Sequence, residues 1–180
     1  MKKIENKKGF TLIETLACII TLLLLCGICN MGTNMALNSY NKSMFLSDSQ
    51  MLESTINLHL GDILRHASIT ADEVVDANGL SEVINFTNTY YGIRNGSIEV
   101  ITESGKPNYG YFVVHKNEAD DTGVMFINEN IYTNTLYISN FVLKYNKTQG
   151  YVTGSYVINS TILEDASKEC TFTYSIATDY

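Results

Sequence analysis

Charged side chains are scarce in this 180-residue chain. Asp, Glu, Lys and Arg make up 17% of it against 45% hydrophobic residues, a balance that excludes a disordered polar tail. Basic residues are the scarcer kind, 12 against 19 acidic, and four of them are Lys2, Lys3, Lys7 and Lys8. Set against Glu5, these give the first nine residues a net charge of +3; the remaining 8 basic and 18 acidic side chains leave the rest at -10. So acidic a body is repelled by phosphate backbones, and direct nucleic-acid binding is disfavoured. Cysteine is also short. Cys18, Cys26 and Cys29 lie in one apolar run and only Cys170 lies beyond it, so Cys170 is expected as a buried, reduced thiol without a disulfide. Cys26 and Cys29 spell a CxxC, but without polar surroundings or a second ligand pair they read as small apolar residues. Three histidines occur: His59 and His66 ride a helical pattern with no third ligand nearby, and His115 sits in a strand pattern. All three read as structural or solvated, not as metal ligands or a base. No Ser-His-Asp, paired-carboxylate or phosphate-loop arrangement is recognisable, so the chain is expected not to be an enzyme and to need no cofactor or metal. The acidic loop from Glu118 to Gly123 lacks the alternation of a calcium loop and reads as a solvated turn.

What is present begins with an oily run. From Phe10 to Cys29, FTLIETLACIITLLLLCGIC, twenty residues carry three threonines and one charge, Glu14. At ~1.5 Å per residue they span roughly 30 Å, one hydrocarbon thickness. A secretory signal has the same basic start and apolar core, yet no convincing small-x-small cleavage site follows, and Glu14 weakens the core. The lysines before the run obey the positive-inside bias, which leaves the acidic body outside a cytoplasmic membrane. Beyond the run, Phe45, Leu52, Ile56, Leu60, Ile63 and Ala67 recur at helical spacing. Together the two patterns predict one helix of about 55 residues from Phe10 to about Ala67, loosened near Gly32.

From Ser81 onward the chain turns to short runs rich in Tyr, Val, Ile and Thr. Asn95-Gly96 between apolar flanks predicts a hairpin turn. Strands are predicted over Tyr109 to His115, Val124 to Ile127, Leu136 to Tyr145, Tyr151 to Ile158 and Thr171 to Ile176, with a second hairpin through Asn146 to Gly150. No helical pattern interrupts them. The expected fold class is therefore α+β, a long N-terminal helix, membrane-spanning in its first half, packed on an antiparallel sheet. The chain divides into residues 1–9 as a basic leader, 10–35 as a transmembrane segment, 36–68 as its amphipathic continuation, and 69–180 as a β-rich domain outside the membrane.

A carboxylate inside lipid costs about 2.5 kcal/mol or more, so Glu14 calls for a named partner. A cut between Gly9 and Phe10 would supply one, because the freed α-amino group of Phe10 is positive at neutral pH and stands one helical turn from Glu14. An amine of a neighbouring copy could reach it as well, and a paired amine and carboxylate are tolerable in a bundle where either alone is not.

The stretch Lys7-Lys8-Gly9-Phe10-Thr11-Leu12-Ile13-Glu14, with the apolar run behind it, resembles the processing and assembly motif of type IV pilins and pseudopilins. The resemblance implies that Lys7 and Lys8 belong to a leader removed by a prepilin peptidase after Gly9, that Phe10 becomes the methylated N-terminal residue, and that Glu14 guides docking into a fibre. Its implied partners are that peptidase, other pilin subunits through a bundle of N-terminal helices, and the lipid of the inner or cytoplasmic membrane. Two departures favour a minor pilin over a major one: no proline stands near Met31, the single proline being Pro107, and Cys170 has no partner for a C-terminal disulfide loop. The expectation is a structural subunit that moves from the membrane to a surface pilus or pseudopilus. The alternatives are a binding module displayed by a DNA-uptake or secretion pseudopilus, and an anchored protein that never polymerises.

Overall fold

The computed structural model describes residues 11–101, 110–119, 123–125, 135–163 and 165–176. Its elements are α1 (Leu12–Leu64), β1 (Ser68–Val75), β2 (Ser81–Asn88), β3 (Ile93–Ile101), β4 (Tyr111–His115), β5 (Val124–Met125), β6 (Leu136–Asn146), β7 (Tyr151–Ser160) and β8 (Ser167–Ser175). One helix followed by antiparallel strands is the expected α+β layout. Two compact units divide the chain, Met1–Ser43 and Met44–Tyr180.

In the first unit the described structure is helix. From Leu12 to Cys29, Leu12, Leu16, Leu23 and Ile28 point in several directions around the axis and all are exposed, so this run has no polar face to turn towards water. It is long and apolar enough to cross a membrane. The helix runs unbroken through Gly27 and Gly32, where loosening is expected; a lone glycine weakens a helix by about 1 kcal/mol without interrupting its hydrogen bonds.

In the second unit the helix becomes one-sided. Leu52, Ile56, Leu60, Ile63 and Leu64 are buried, with Ser49 and Gly61 filling the tight positions beside them. Ser49 keeps its buried hydroxyl satisfied by donating to Leu46 O at 3.0 Å. The stripe packs on Phe112, Leu136, Ile138, Val152, Tyr156, Ile158 and Phe172. Aromatic rings chain across that floor: Phe141 to Phe112 (4.9 Å, edge-on), Phe112 to Tyr156 (5.5 Å, edge-on), and Phe172 to Tyr174 (5.3 Å, stacked). A smaller cluster of Ile63, Ala67, Phe86, Ile93 and Val114 closes the helix end.

The strands join in the order β5-β4-β3-β2-β6-β7-β8, with β1 added to β2, and every pairing is antiparallel. β2 pairs with β1 along its length, with β3 near Phe86 and Asn88, and with β6 at Ser81 and Glu82. Gly110, just before β4, ties that strand to β6: Ile138 N–H donates to Gly110 O at 3.0 Å, and a Cβ on Gly110 would lie 1.9 Å from Ile138 O. Only glycine fits there.

Three strand expectations need correction. Asn95-Gly96 is not a hairpin turn; it lies inside β3, where Asn95 (φ 56°) forms an irregularity as the strand passes from β2 to β4. The β2–β3 turn is Thr89–Gly92 instead, closed by Gly92 N–H to Thr89 O at 3.2 Å with Gly92 at φ 68°. β1 and β2 were not among the expected strands, because SITADEVV and SEVINFTN are half polar and owe their conformation to pairing. β8 starts at Ser167 instead of Thr171, since its first residues continue a regular register with β7. Tyr109, Phe126 and Ile127 lie outside the described residues.

Candidate functional site

Lys7, Lys8, Gly9 and Phe10 lie outside the described residues, so the head of the site begins at Thr11. Leu12 to Glu14 form the first turn of α1, and Glu14 N–H and Thr15 N–H donate to Thr11 O at 3.0 and 3.2 Å. Thr11 is thus the N-cap. Glu14 Oε2 accepts the Thr11 N–H and the Thr11 hydroxyl, both at 2.8 Å. This is the reciprocal half of a capping box, which satisfies a backbone donor that a helix start leaves orphaned. The positive end of the helix dipole adds to the stabilisation of a carboxylate at this position.

Behind Glu14 no charged side chain occurs until Lys42. Thr15 and Thr21 of the run, and Thr33 just beyond it, hide their hydroxyls internally: Thr15 donates to Leu12 O, Thr21 to Ala17 O and Thr33 to Cys29 O, at 2.8, 2.8 and 2.9 Å. These hydroxyls thereby have partners within the same helix, which suits them to an apolar surrounding. Thr11 is the partner of Glu14 that reading the sequence for an amine overlooks. Its signal was present as Thr-x-x-Glu, the spelling of a capping box directly before an apolar run.

Polar side chains also lock the second half of the helix to the sheet. Lys168 Nζ lies 2.5 Å from Glu53 Oε2, Tyr156 OH donates to Asn57 Oδ1 at 3.2 Å, and Tyr174 OH donates to Asn57 O at 2.5 Å. The Arg65 guanidinium stands 5.8 Å from the Tyr174 ring centroid. Cys170, buried as expected at 1% exposed, sits in this layer. Burial pushes its thiol up to about 11 and raises the Tyr156 and Tyr174 phenols as well. A thiol held protonated is a poor nucleophile and a poor metal ligand.

The remaining candidates do not converge on one site. Cys18, Cys26 and Cys29 are exposed on the apolar helix, and among the described residues no three His, Cys, Asp or Glu side chains come close enough to hold a metal ion. His115 ends β4 with Nε2 2.6 Å from Glu99 Oε1. Of the acidic loop, the described Glu118 accepts a hydrogen bond from Asn95 Nδ2. Compared with models of protein families, with curated proteins and with solved structures, the chain matches none.

Proposed function

We propose that this protein is a minor pilin or pseudopilin, a structural subunit cut after Gly9 and built into a surface fibre through its N-terminal helix. One observation carries the reading: a single carboxylate, Glu14, heads a helix that is apolar and exposed all round, and the same helix then turns one-sided to seat an antiparallel sheet. An all-round apolar segment is covered by lipid or by other helices. Transfer between the two covers is what a subunit stored in a membrane and assembled into a helical bundle requires. Removal of residues 1–9 places an ammonium on Phe10, next to the residue that already grips the Glu14 carboxylate. The leader lysines, Lys7 and Lys8, hold the uncut chain with its start in the cytoplasm and present the Gly9–Phe10 bond to a prepilin peptidase, and methylation of Phe10 follows the cut. Intact-mass spectrometry of the membrane-extracted and fibre-associated protein tests this: a mature start at methylated Phe10 is expected, and a chain retaining its leader in working fibres overturns the proposal.

A second reading rests on the Thr11–Glu14 bonds. Because the cap satisfies Glu14 locally, a lone subunit can keep the carboxylate at the membrane surface with no neighbour, as a simple anchored protein would. Glu14→Ala separates the two. A fibre subunit inserts normally but vanishes from sheared surface fractions, whereas a lone anchor keeps its amount and its function.

A further inference from the structure

A groove of about 1030 Å³ opens beside the C-terminal end of α1, among the helix end, the start of β1 and the β2–β3 turn. Its apolar floor is Ile69, Tyr145 and Ile176, half-buried against the main core. Asp62 and His66 stand on its helix side, Tyr90 and Tyr91 on its turn side. The tyrosines are 84% and 42% exposed and meet edge-on, with ring centroids 5.2 Å apart. One buried side chain fixes this arrangement. Asn88, 1% exposed, donates from Nδ2 to Ile63 O at 2.7 Å, and its Oδ1 accepts the N–H groups of Tyr90 and Tyr91 at 3.0 and 3.3 Å. The backbone of the aromatic turn is thereby tied to the last turn of the helix, which places both tyrosines at the mouth of the groove.

The electrostatics of the groove are mainly negative, His66 being the one basic side chain among its lining residues. The helix ends with no basic residue in its last turn, and its carbonyl end carries a partial negative charge. Asp62 is exposed and adds a full one. Tyrosine faces are negative at the centre of the ring and attract cations. Arg65, the nearest cation along the chain, lies over Tyr174 and does not line the groove. Exposed Asp72 and Glu73 continue the negative character along β1, and the chain beyond its leader carries -10. The volume is far more than one side-chain head group fills and leaves room for a segment of several residues. Among the described residues β1 pairs only with β2, so its second edge leaves main-chain groups available to an extended chain.

We propose that this groove docks an extended basic segment of a partner polypeptide, with a lysine or arginine head group held between Asp62 and the Tyr90–Tyr91 rings and its aliphatic stem laid on Ile69 and Ile176. The groove belongs to the body alone, and its occupancy does not depend on whether the helix enters a fibre.

The test uses the full chain in detergent micelles, titrated with the capped pentapeptide Gly-Lys-Leu-Lys-Gly while the Tyr90 and Tyr91 amide resonances are followed by NMR. The lysine peptide is expected to shift both resonances, to bind less tightly as salt rises, and to weaken about fivefold or more in Asp62→Asn and again in Tyr90→Ala. Both side chains are exposed, so the variants should keep the parental melting temperature. Equal binding of a peptide with norleucine in place of both lysines, or no loss in Asp62→Asn, overturns the proposal. So does a silent titration, or a response confined to a neutral sugar such as chitotriose.

Discussion

Glu14 shows how position decides the cost of a charge. At the centre of a spanning helix a carboxylate is strongly opposed, whereas in a first turn it is favoured by the helix dipole and satisfies an N-cap donor. The Thr11 bonds hold the Glu14 side chain on the N-terminal side of its own turn. Thr11→Val keeps the shape and the backbone donor but removes the hydroxyl. Under the fibre proposal the carboxylate then relies on its amine partner, so surface fibre measured by shearing and immunoblotting should persist in Thr11→Val and disappear in Glu14→Ala. Equal loss in both would mean that the cap, and not the charge pair, is what assembly needs. A second residue-scale constraint sits at Gly96, where an added Cβ would lie 2.0 Å from the His115 carbonyl oxygen and 2.5 Å from Ile93 Cγ2. Backbone cannot yield as a flexible side chain does. Gly96→Ala should cost about 2 kcal/mol or more, seen as a lower thermal midpoint of the detergent-solubilised chain by circular dichroism.

The helix is the element on which apolar and polar contacts can be weighed against each other. Leu60 is fully buried in the main core, and Leu60→Ala should cost about 2–5 kcal/mol through lost burial and a residual cavity. Tyr156→Phe removes only a hydroxyl bonded to Asn57 and should cost about 1 kcal/mol. Urea midpoints of the two variants give the ratio, and a larger loss for Tyr156→Phe would show that the polar layer dominates the seat of the helix. That seat was legible in the sequence because the stripe from Leu52 to Ile63 recurs at helical spacing and the same positions are buried. β6 and β7 were legible too, as β-branched and aromatic runs flanking a turn that ends in Gly150 at φ 66°. β1 and β2 were not, because their polar sequences become strands only once the ladder between Ser68↔Thr87 and Val75↔Ser81 forms. Asn95-Gly96 misled for a related reason. An Asn-Gly pair marks backbone that adopts positive φ, and a strand irregularity uses that freedom as readily as a turn does. At the head of α1 the sequence displayed Glu14 plainly, while its bonds to Thr11 became evident only once the helix start was located. The groove was hidden entirely, since Asp62, Asn88 and Tyr90 come together through pairing that no local pattern announces.

At the scale of the molecule, the titrating groups of the body set opposite limits on the pH at which it stays folded. Asp76 lies below its ordinary value chiefly because Lys144 Nζ donates to its carboxylate at 2.9 Å, helped by the N–H groups of Leu80 and Asn78. A depressed acid stabilises the fold above its unfolded value of 3.8 and loses that contribution as pH falls through the folded one. Cys170, Tyr156 and Tyr174 act at the other end. Their protonated forms are favoured in the folded body, so their contribution is complete below the unfolded values and is lost as pH rises. The thiol leads, because its window runs from 9.0 unfolded to about 11 folded, while the phenols begin from 10.0. Thermal midpoints of the detergent-solubilised chain should therefore hold steady near neutrality and begin to fall above pH 9. Cys170→Ala should start lower, from the lost side chain, but descend less steeply between pH 9 and 10, where the parent is already ionising its unfolded thiol. Parallel curves for parent and variant would show that the buried layer beneath Glu53 and Asn57 does not govern alkaline unfolding, and that the helix is released from the sheet by some other group.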